Sequence, residues 1–229
     1  MNLLALDTST EFLSLALQVR DEVFSYHAHV GNATSQHILP QISALLTQAD
    51  IQLNQLDGIA FGAGPGSFTG VRIAAGVTQG LAMSANLPVV SVCTLLALAH
   101  DAGHEKVITC LDARMREIYH AAYEKQDGQW VEVVAPNVCA ATHAPKVVCN
   151  GWVGVGNGWL SDADALKAVY AGQVECVQEN LIPTARAILS LATPKFVAKE
   201  TVPATEAIPL YVRNRVAMTI AERAQAGMK

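Results

Sequence analysis

Leu3-Leu4-Ala5-Leu6-Asp7-Thr8-Ser9-Thr10 is a short apolar run that ends on an acid and a cluster of turn-forming residues. Val107-Ile108-Thr109-Cys110-Leu111-Asp112, far downstream, has the same form and the same terminal acid. The residues next to each run decide the fold. After the first, Leu13, Leu15, Leu17 and Val19 alternate with Phe12, Ser14, Ala16 and Gln18, the period-two pattern of a strand with one apolar face. Arg20-Asp21 makes a tight turn, and residues 22–28 run back. After the second, residues 116–123 and 130–134 read as strands joined at Asp127-Gly128, a favoured hairpin turn. Two three-strand antiparallel meanders imply two similar units, in which Asp7 and Asp112 are equivalent strand-end positions. A helix-stop signal at Ala102-Gly103-His104 divides them into a first lobe, 1–103, and a second, 104–229.

Between the meanders the period lengthens. Ile38, Leu39, Ile42, Leu45, Leu46 and Ala49 form one helical stripe, with Thr34 and Ser35 as N-cap candidates. Residues 58–61 are a short buried strand, 71–84 a helix, 88–92 a strand and 94–100 a helix. A meander followed by β-α-β-α alternation is a mixed sheet with helices packed on it, so the class is α/β. Residues 151–158 contain four glycines and read as a loop. Residues 162–170, 184–191 and 212–226 read as helices, and 194–209 as irregular chain.

Composition bounds the function. The 229 residues carry 15 basic and 20 acidic side chains, a net charge of −5, which argues against a free-standing nucleic-acid binder. Apolar residues reach 51% against 15% charged, too greasy for disorder and enough to leave a surface for a partner. No apolar stretch is long enough to span a bilayer. The opening residues lack a basic n-region, so a cytoplasmic location is expected. The five cysteines, Cys93, Cys110, Cys139, Cys149 and Cys176, are odd in number and show no C-x-x-C spacing, as expected of reduced thiols.

The stretch with most chemical promise is Gly62-Ala63-Gly64-Pro65-Gly66-Ser67-Phe68-Thr69-Gly70, between a strand and a helix. That position can aim backbone N–H groups and a helix N-terminus at an anion. The spacing fails G-x-G-x-x-G at Ser67 and Thr69, lacks the Lys of a P-loop, and is not a nucleophile elbow. The competing reading is a tight turn with Ser67 or Thr69 as a helix cap. Asp7 and Asp112 either face each other across a cleft, where such a pair can hold a metal–phosphate group, or cap their own turns. His100/His104 and His27/His29 have suggestive spacings. The first pair sits at a helix end, however, and the second has no carboxylate or thiol nearby in sequence, so neither reads as a metal site. The helix at 71–84 has almost no polar face, so it is buried in its own lobe or against another chain.

Four stretches in order carry a resemblance: L-L-A-L-D-T-S-T at 3–10, G-P-G-S-F-T-G-V-R-I at 64–73, L-D-A-R-M-R-E-I-Y at 111–119 and A-I-P-L-Y-V-R-N at 207–214. Together they resemble the TsaB (YeaZ) family of the bacterial system that makes threonylcarbamoyl-adenosine in tRNA. The resemblance implies an actin/hexokinase-like (ASKHA) fold in two lobes, each with a mixed sheet that begins in a meander. It implies a subunit similar to TsaD, which transfers the threonylcarbamoyl group to the adenosine beside the anticodon and holds a metal through an H-x-x-x-H pair. Here the comparable helix offers His37 alone, with Ala33 and Gln41 four residues to either side. A non-catalytic scaffold is therefore expected, working with TsaD and the ATPase TsaE, touching tRNA only indirectly, and forming a homodimer when TsaD is absent.

The expected interface lies on the N-lobe helices: Ile38, Ile42, Leu45, Leu46, Val71, Ala74, Ala75, Val77, Thr78 and Leu81. The fold commonly binds ATP between its lobes, which makes Asp7, Thr8, Ser9, Gly64, Gly66, Ser67, Thr69 and Asp112 the candidate nucleotide or anion residues. No cofactor of the chain's own and no metal are expected, with ATP or ADP at a surface shared with partners. A glycoprotease-like peptidase acting on TsaD and a stand-alone nucleotide-binding module are the alternatives. Arg116 departs from the family pattern, which more often has Gly there.

Overall fold

Period-two alternation and tight turns build the first sheet. The computed structural model describes residues 1–212. β1 (Asn2–Asp7), β2 (Phe12–Val19) and β3 (Glu22–His29) form the expected antiparallel meander, with Leu3 opposite Gln18 and Asp7 opposite Ser14. α1 (Thr34–Gln48) leads to β4 (Gly58–Gly64), which pairs parallel with β1. α2 (Phe68–Ala85) then leads to β5 (Val89–Cys93), parallel to β4, and α3 (Thr94–Asp101) closes the unit. The strand order is β3-β2-β1-β4-β5.

The second sheet repeats this plan. β6 (Lys106–Asp112), β7 (Ile118–Gln126) and β8 (Gln129–Cys139) form its meander; Asp127 and Gly128 both have positive φ, as the hairpin turn requires. β9 (Trp152–Val155) pairs parallel with β6, α4 (Gly158–Ser161) and α5 (Ala163–Val169) come next, and β10 (Val174–Gln178) closes the sheet. Its order is β10-β9-β6-β7-β8, the first order read from the other end. The duplication is thus topological. The expected α/β architecture, two mixed sheets each begun by a meander, is the observed one.

β1 is apolar on both faces because both are covered. Leu4, Leu6, Leu13, Leu15 and Leu17 pack with Ile38, Ile42 and Leu45 of α1 and with Ala74 and Ala75 of α2. On the opposite face Leu3, Ala5, Ala16 and Ala60 meet α6 (Ala185–Ala198) through Ala185, Ile188, Leu189, Ala192 and Phe196. Small strand side chains let α6 lie close; a Cβ on Gly58 would overlap the Phe196 ring. A helix from the second half of the sequence thereby completes the core of the first lobe.

After α6 the chain returns along α2. Val202 pairs with Val89, Gln79 Nε2 donates to Ala207 O at 3.0 Å, and Leu210 N donates to Ala63 O at 2.8 Å. Residues 201–212 thus form a strap from the C-terminal to the N-terminal end of α2, and its first residues cover the outer edge of β5. The helix expected at 212–226 lies, apart from Val212, outside the described residues. Among these, no helix is long and apolar enough to cross a membrane, and all five cysteines are free.

Four local expectations are corrected. Residues 151–158 are not all loop, because Trp152–Val155 forms β9; Gly154 is there so that the Trp159 ring can lie against the strand. Helix α6 runs through Pro194 to Ala198, because burying Ala192 and Phe196 outweighs one missing N–H donor. β10 is an additional strand, which its polar Val-Glu-Cys-Val-Gln sequence does not announce. Thr34 and Ser35 do not cap α1; Ala33 holds the cap position, and Thr34 is the first helical residue, its hydroxyl on Gly31 O at 3.3 Å.

Candidate functional site

Parallel pairing of β4 with β1 and β6 with β9 brings the strand ends of both lobes to one cleft of about 830 Å³. The first lobe contributes the turn after β1 and the glycine-rich loop; the second contributes Asp112, Arg114 and Asn157. Thr8, Ser9, Gly66, Ser67, Thr69 and Asp112 all line it, so the two distant candidate segments do converge.

Their chemistry is turned inward. Asp7 is 1% exposed; its Oδ1 accepts from Ser9 N at 3.0 Å and from Ser9 Oγ at 2.7 Å, and its Oδ2 from Thr94 Oγ1 at 3.4 Å. Burial raises its carboxyl above the ordinary range, and the Ser9 and Thr94 hydrogen bonds oppose that shift. Asp112 Oδ1 accepts from Arg114 N at 2.7 Å and its own N–H donates to Asn157 Oδ1 at 2.9 Å. Each carboxylate caps its own turn.

The loop is equally self-contained. Gly64 N donates to Thr94 Oγ1 at 3.1 Å and Ser67 N to Ser9 O at 2.7 Å. Gly70 N donates to Ser67 Oγ at 3.4 Å, which makes Ser67 the N-cap of α2, and Thr8 Oγ1 donates to Gly70 O at 2.7 Å. The glycines are spacers for the first turn: a Cβ on Gly62 would overlap Asp7 Oδ2, on Gly66 Ser9 O, and on Gly70 Thr8 O. The amides of Gly64, Ser67 and Gly70, the Ser9 hydroxyl and the Asp7 carboxylate are therefore committed within the chain. Those groups are turned toward the chain itself rather than toward the cleft.

The β6–β7 turn is strained. Arg114, Met115 and Arg116 have φ of 61°, 56° and 60°, three consecutive left-handed non-glycine residues. Each costs roughly 1–2 kcal/mol. Arg114 reaches Asp112 Oδ2 at 3.4 Å and Glu11 Oε1, in the other lobe, at 3.6 Å.

The comparisons with known proteins bear on this geometry. A family model described as TsaD, tRNA N6-adenosine threonylcarbamoyltransferase, matches residues 28–151. The protein "tRNA threonylcarbamoyladenosine biosynthesis protein TsaB" of Haemophilus influenzae is 36% identical, over 94% of this chain and 95% of its own. The Escherichia coli protein of that name is 37% identical, over 95% and 96%. This chain belongs to the TsaB family. A solved structure, YeaZ from Pseudomonas aeruginosa, superposes with a TM-score of 0.86 at 37% identity, over 92% of this chain and 99% of that one.

Within this TsaB-family chain, the expected interface residues lie mostly inside. Ile38, Ile42, Leu45, Val71, Ala74, Ala75 and Thr78 are at most 5% exposed, and Leu46, Val77 and Leu81 are half-buried. The correction follows from packing: the most regular apolar stripe of a helix is the one its own sheet covers. The outward face of the two helices carries Leu39, Arg72, Gly76, Gly80 and Met83. A Cβ added at Gly76 or Gly80 would meet nothing within 4 Å.

The histidines have separate partners. His100 Nδ1 accepts from Trp130 Nε1 at 3.3 Å, and His104 Nε2 lies 3.1 Å from Gln178 Nε2. His29 does have a carboxylate nearby, contrary to expectation. The β2–β3 pairing brings its Nε2 within 3.2 Å of Glu11 Oε2, while His27 stacks on Phe12. His37 is exposed on α1. Sequence reasoning missed His120, whose Nε2 lies 2.7 Å from Tyr170 Oη, and the grouping of Phe68, Arg72 and Tyr211. The only advance signal of that group was that two of the quoted motifs contain these residues.

Proposed function

We propose that this chain is the non-catalytic subunit of the machinery that makes threonylcarbamoyl-adenosine in tRNA. In this reading it pairs with the transferase TsaD, works with the ATPase TsaE, and resides in the cytoplasm. The carrying observation is likeness along nearly the whole chain to two proteins named for this biosynthesis, at 36% and 37% identity. The cleft supports the non-catalytic part, because the Gly64, Ser67 and Gly70 amides, the Thr8 and Ser9 hydroxyls and the Asp7 carboxylate are engaged within the chain. Any ATP or ADP chemistry then belongs to surfaces that partners supply.

Reconstitution tests the reading. TsaD, TsaE and the enzyme that makes the threonylcarbamoyl adenylate are combined with unmodified tRNA, with and without this chain. Modification should require the chain; equal yield without it refutes the proposal. The contact is assigned to the outward face of α2, where Gly76 and Gly80 leave room for close approach. Gly80→Arg adds a charge there without touching the chain's own core. It should fold normally and lose co-elution with TsaD, and with a second copy of this chain where TsaD is absent.

A further inference from the structure

Two motifs far apart in sequence meet at the N-terminal end of α2. Phe68 and Arg72 come from the glycine-rich stretch; Leu210 and Tyr211 come from the end of the strap. The Arg72 guanidinium lies 3.3 Å from the centre of the Phe68 ring and 5.0 Å from that of Tyr211, and its Nη1 donates to Phe68 O at 2.9 Å. The stack is outside the core: Phe68 is 52% exposed and Tyr211 53%. Large aromatic residues usually bury such area, so two half-bare rings bracketing a guanidinium are a surface prepared for a ligand.

Charge selects the kind of ligand. The described residues carry 11 basic against 19 acidic side chains. Phe68, Tyr211 and Arg114 line the same cleft mouth, and the strained turn exposes Arg116 beside Arg114. Glu11 and Asp112 offset Arg114. With Arg114 offset, Arg72 and the exposed Arg116 give this edge basic character on an acidic molecule. A polyanion is drawn to such a basic edge. Unpaired RNA bases stack on aromatic rings and on guanidinium planes, which is the chemistry this rim presents.

We propose that the Phe68–Arg72–Tyr211 rim contacts RNA directly, taking unpaired bases of the tRNA substrate. The proposal rests on the tRNA reading above for its substrate. It revises the expectation that tRNA contacts lie on partners alone.

The test is fluorescence anisotropy of a labelled anticodon stem-loop, titrated with this chain alone and with its complex with TsaD. Wild type should bind. Phe68→Leu combined with Tyr211→Leu keeps apolar bulk but removes both π-faces, and should weaken binding by about tenfold or more. Arg116→Gln should lower the slope of log affinity against log salt by about 1. Lys167→Gln, a charge loss on exposed α5, should change neither. Circular dichroism melting and co-elution with TsaD should be as for wild type in all variants. If melting shows the double variant unfolded, Phe68→Leu alone and Tyr211→Leu alone replace it, and each should weaken binding. Unchanged affinity in the folded leucine variants, or no binding by wild type in either form, overturns the proposal. So does loss of TsaD co-elution by a folded leucine variant, which assigns the rim to a protein contact. A wild-type chain that binds the stem-loop while modification proceeds without it sinks the subunit reading and leaves this one standing.

Discussion

His120 offers the sharpest test of the second lobe. It is 0% exposed near the start of β7. Tyr170 Oη donates to Pro145 O at 2.8 Å, so its oxygen accepts from His120 Nε2–H at 2.7 Å. Nδ1 then accepts from the Asn137 amide at 3.4 Å. The ring is neutral, with its proton on Nε2 as this network assigns it. Protonation would aim an Nδ1–H at the Asn137 NH₂ donors. Burial accordingly lowers the histidine pKa from 6.5 to about 4.

A base whose folded pKa is depressed binds fewer protons folded than unfolded. Its stabilising contribution is therefore present above pH 6.5 and is lost as pH falls towards about 4. The full loss is about 3 kcal/mol, and about 2 kcal/mol of it is gone by about pH 5. Asp101 acts in the opposite direction. Burial raises its carboxyl to about 6, which favours the folded state as pH falls below that value. The wild-type pH profile thus mixes the two, and the difference from His120→Gln isolates the histidine. Trp130, Trp152 and Trp159, the chain's three tryptophans, all lie in the second lobe, so tryptophan fluorescence in urea reads that lobe. The stability advantage of wild type over His120→Gln should shrink by about 2 kcal/mol between about pH 7.5 and about pH 5. An advantage that stays constant across that window refutes the neutral, buried assignment.

The glycines of the first lobe should divide by role. Gly70→Ala drives a methyl into Thr8 O and should cost about 3 kcal/mol or more, whereas Gly76→Ala, with open space beyond it, should gain about 1 kcal/mol; thermal melts of the two compare directly. Thr78 Oγ1 is buried and unpaired among the described residues, so the isosteric Thr78→Val should raise stability by about 1 kcal/mol in chemical denaturation. Asp101→Asn removes a half-buried charge while leaving an acceptor for Thr184 N. Its melting temperature should exceed wild type at about pH 8, with the gap roughly halved by about pH 5 and closed only below 3.8.

Short-range physics made much of this chain legible in advance. Alternation at 12–19, the turns at Arg20-Asp21 and Asp127-Gly128, and the helical stripe at 38–49 depend on neighbours in sequence. They fixed both meanders, the α/β class and the duplication behind the common strand order. Long-range packing decided the rest. Strand β10 exists because β9 offers it an edge, and α6 passes Pro194 because the first sheet needs a cover on its second face. Periodicity shows that a helix has an apolar side but not what covers it, so residues such as Ala75 and Ile42 passed for interface when they are core. The spacing of Gly62, Gly64, Gly66 and Gly70 could not say whether absent side chains make room for a phosphate or for the chain itself. Only the approach of Thr8, Ser9 and Asp7 answers that, because a Cβ clash is a property of two segments brought together in space.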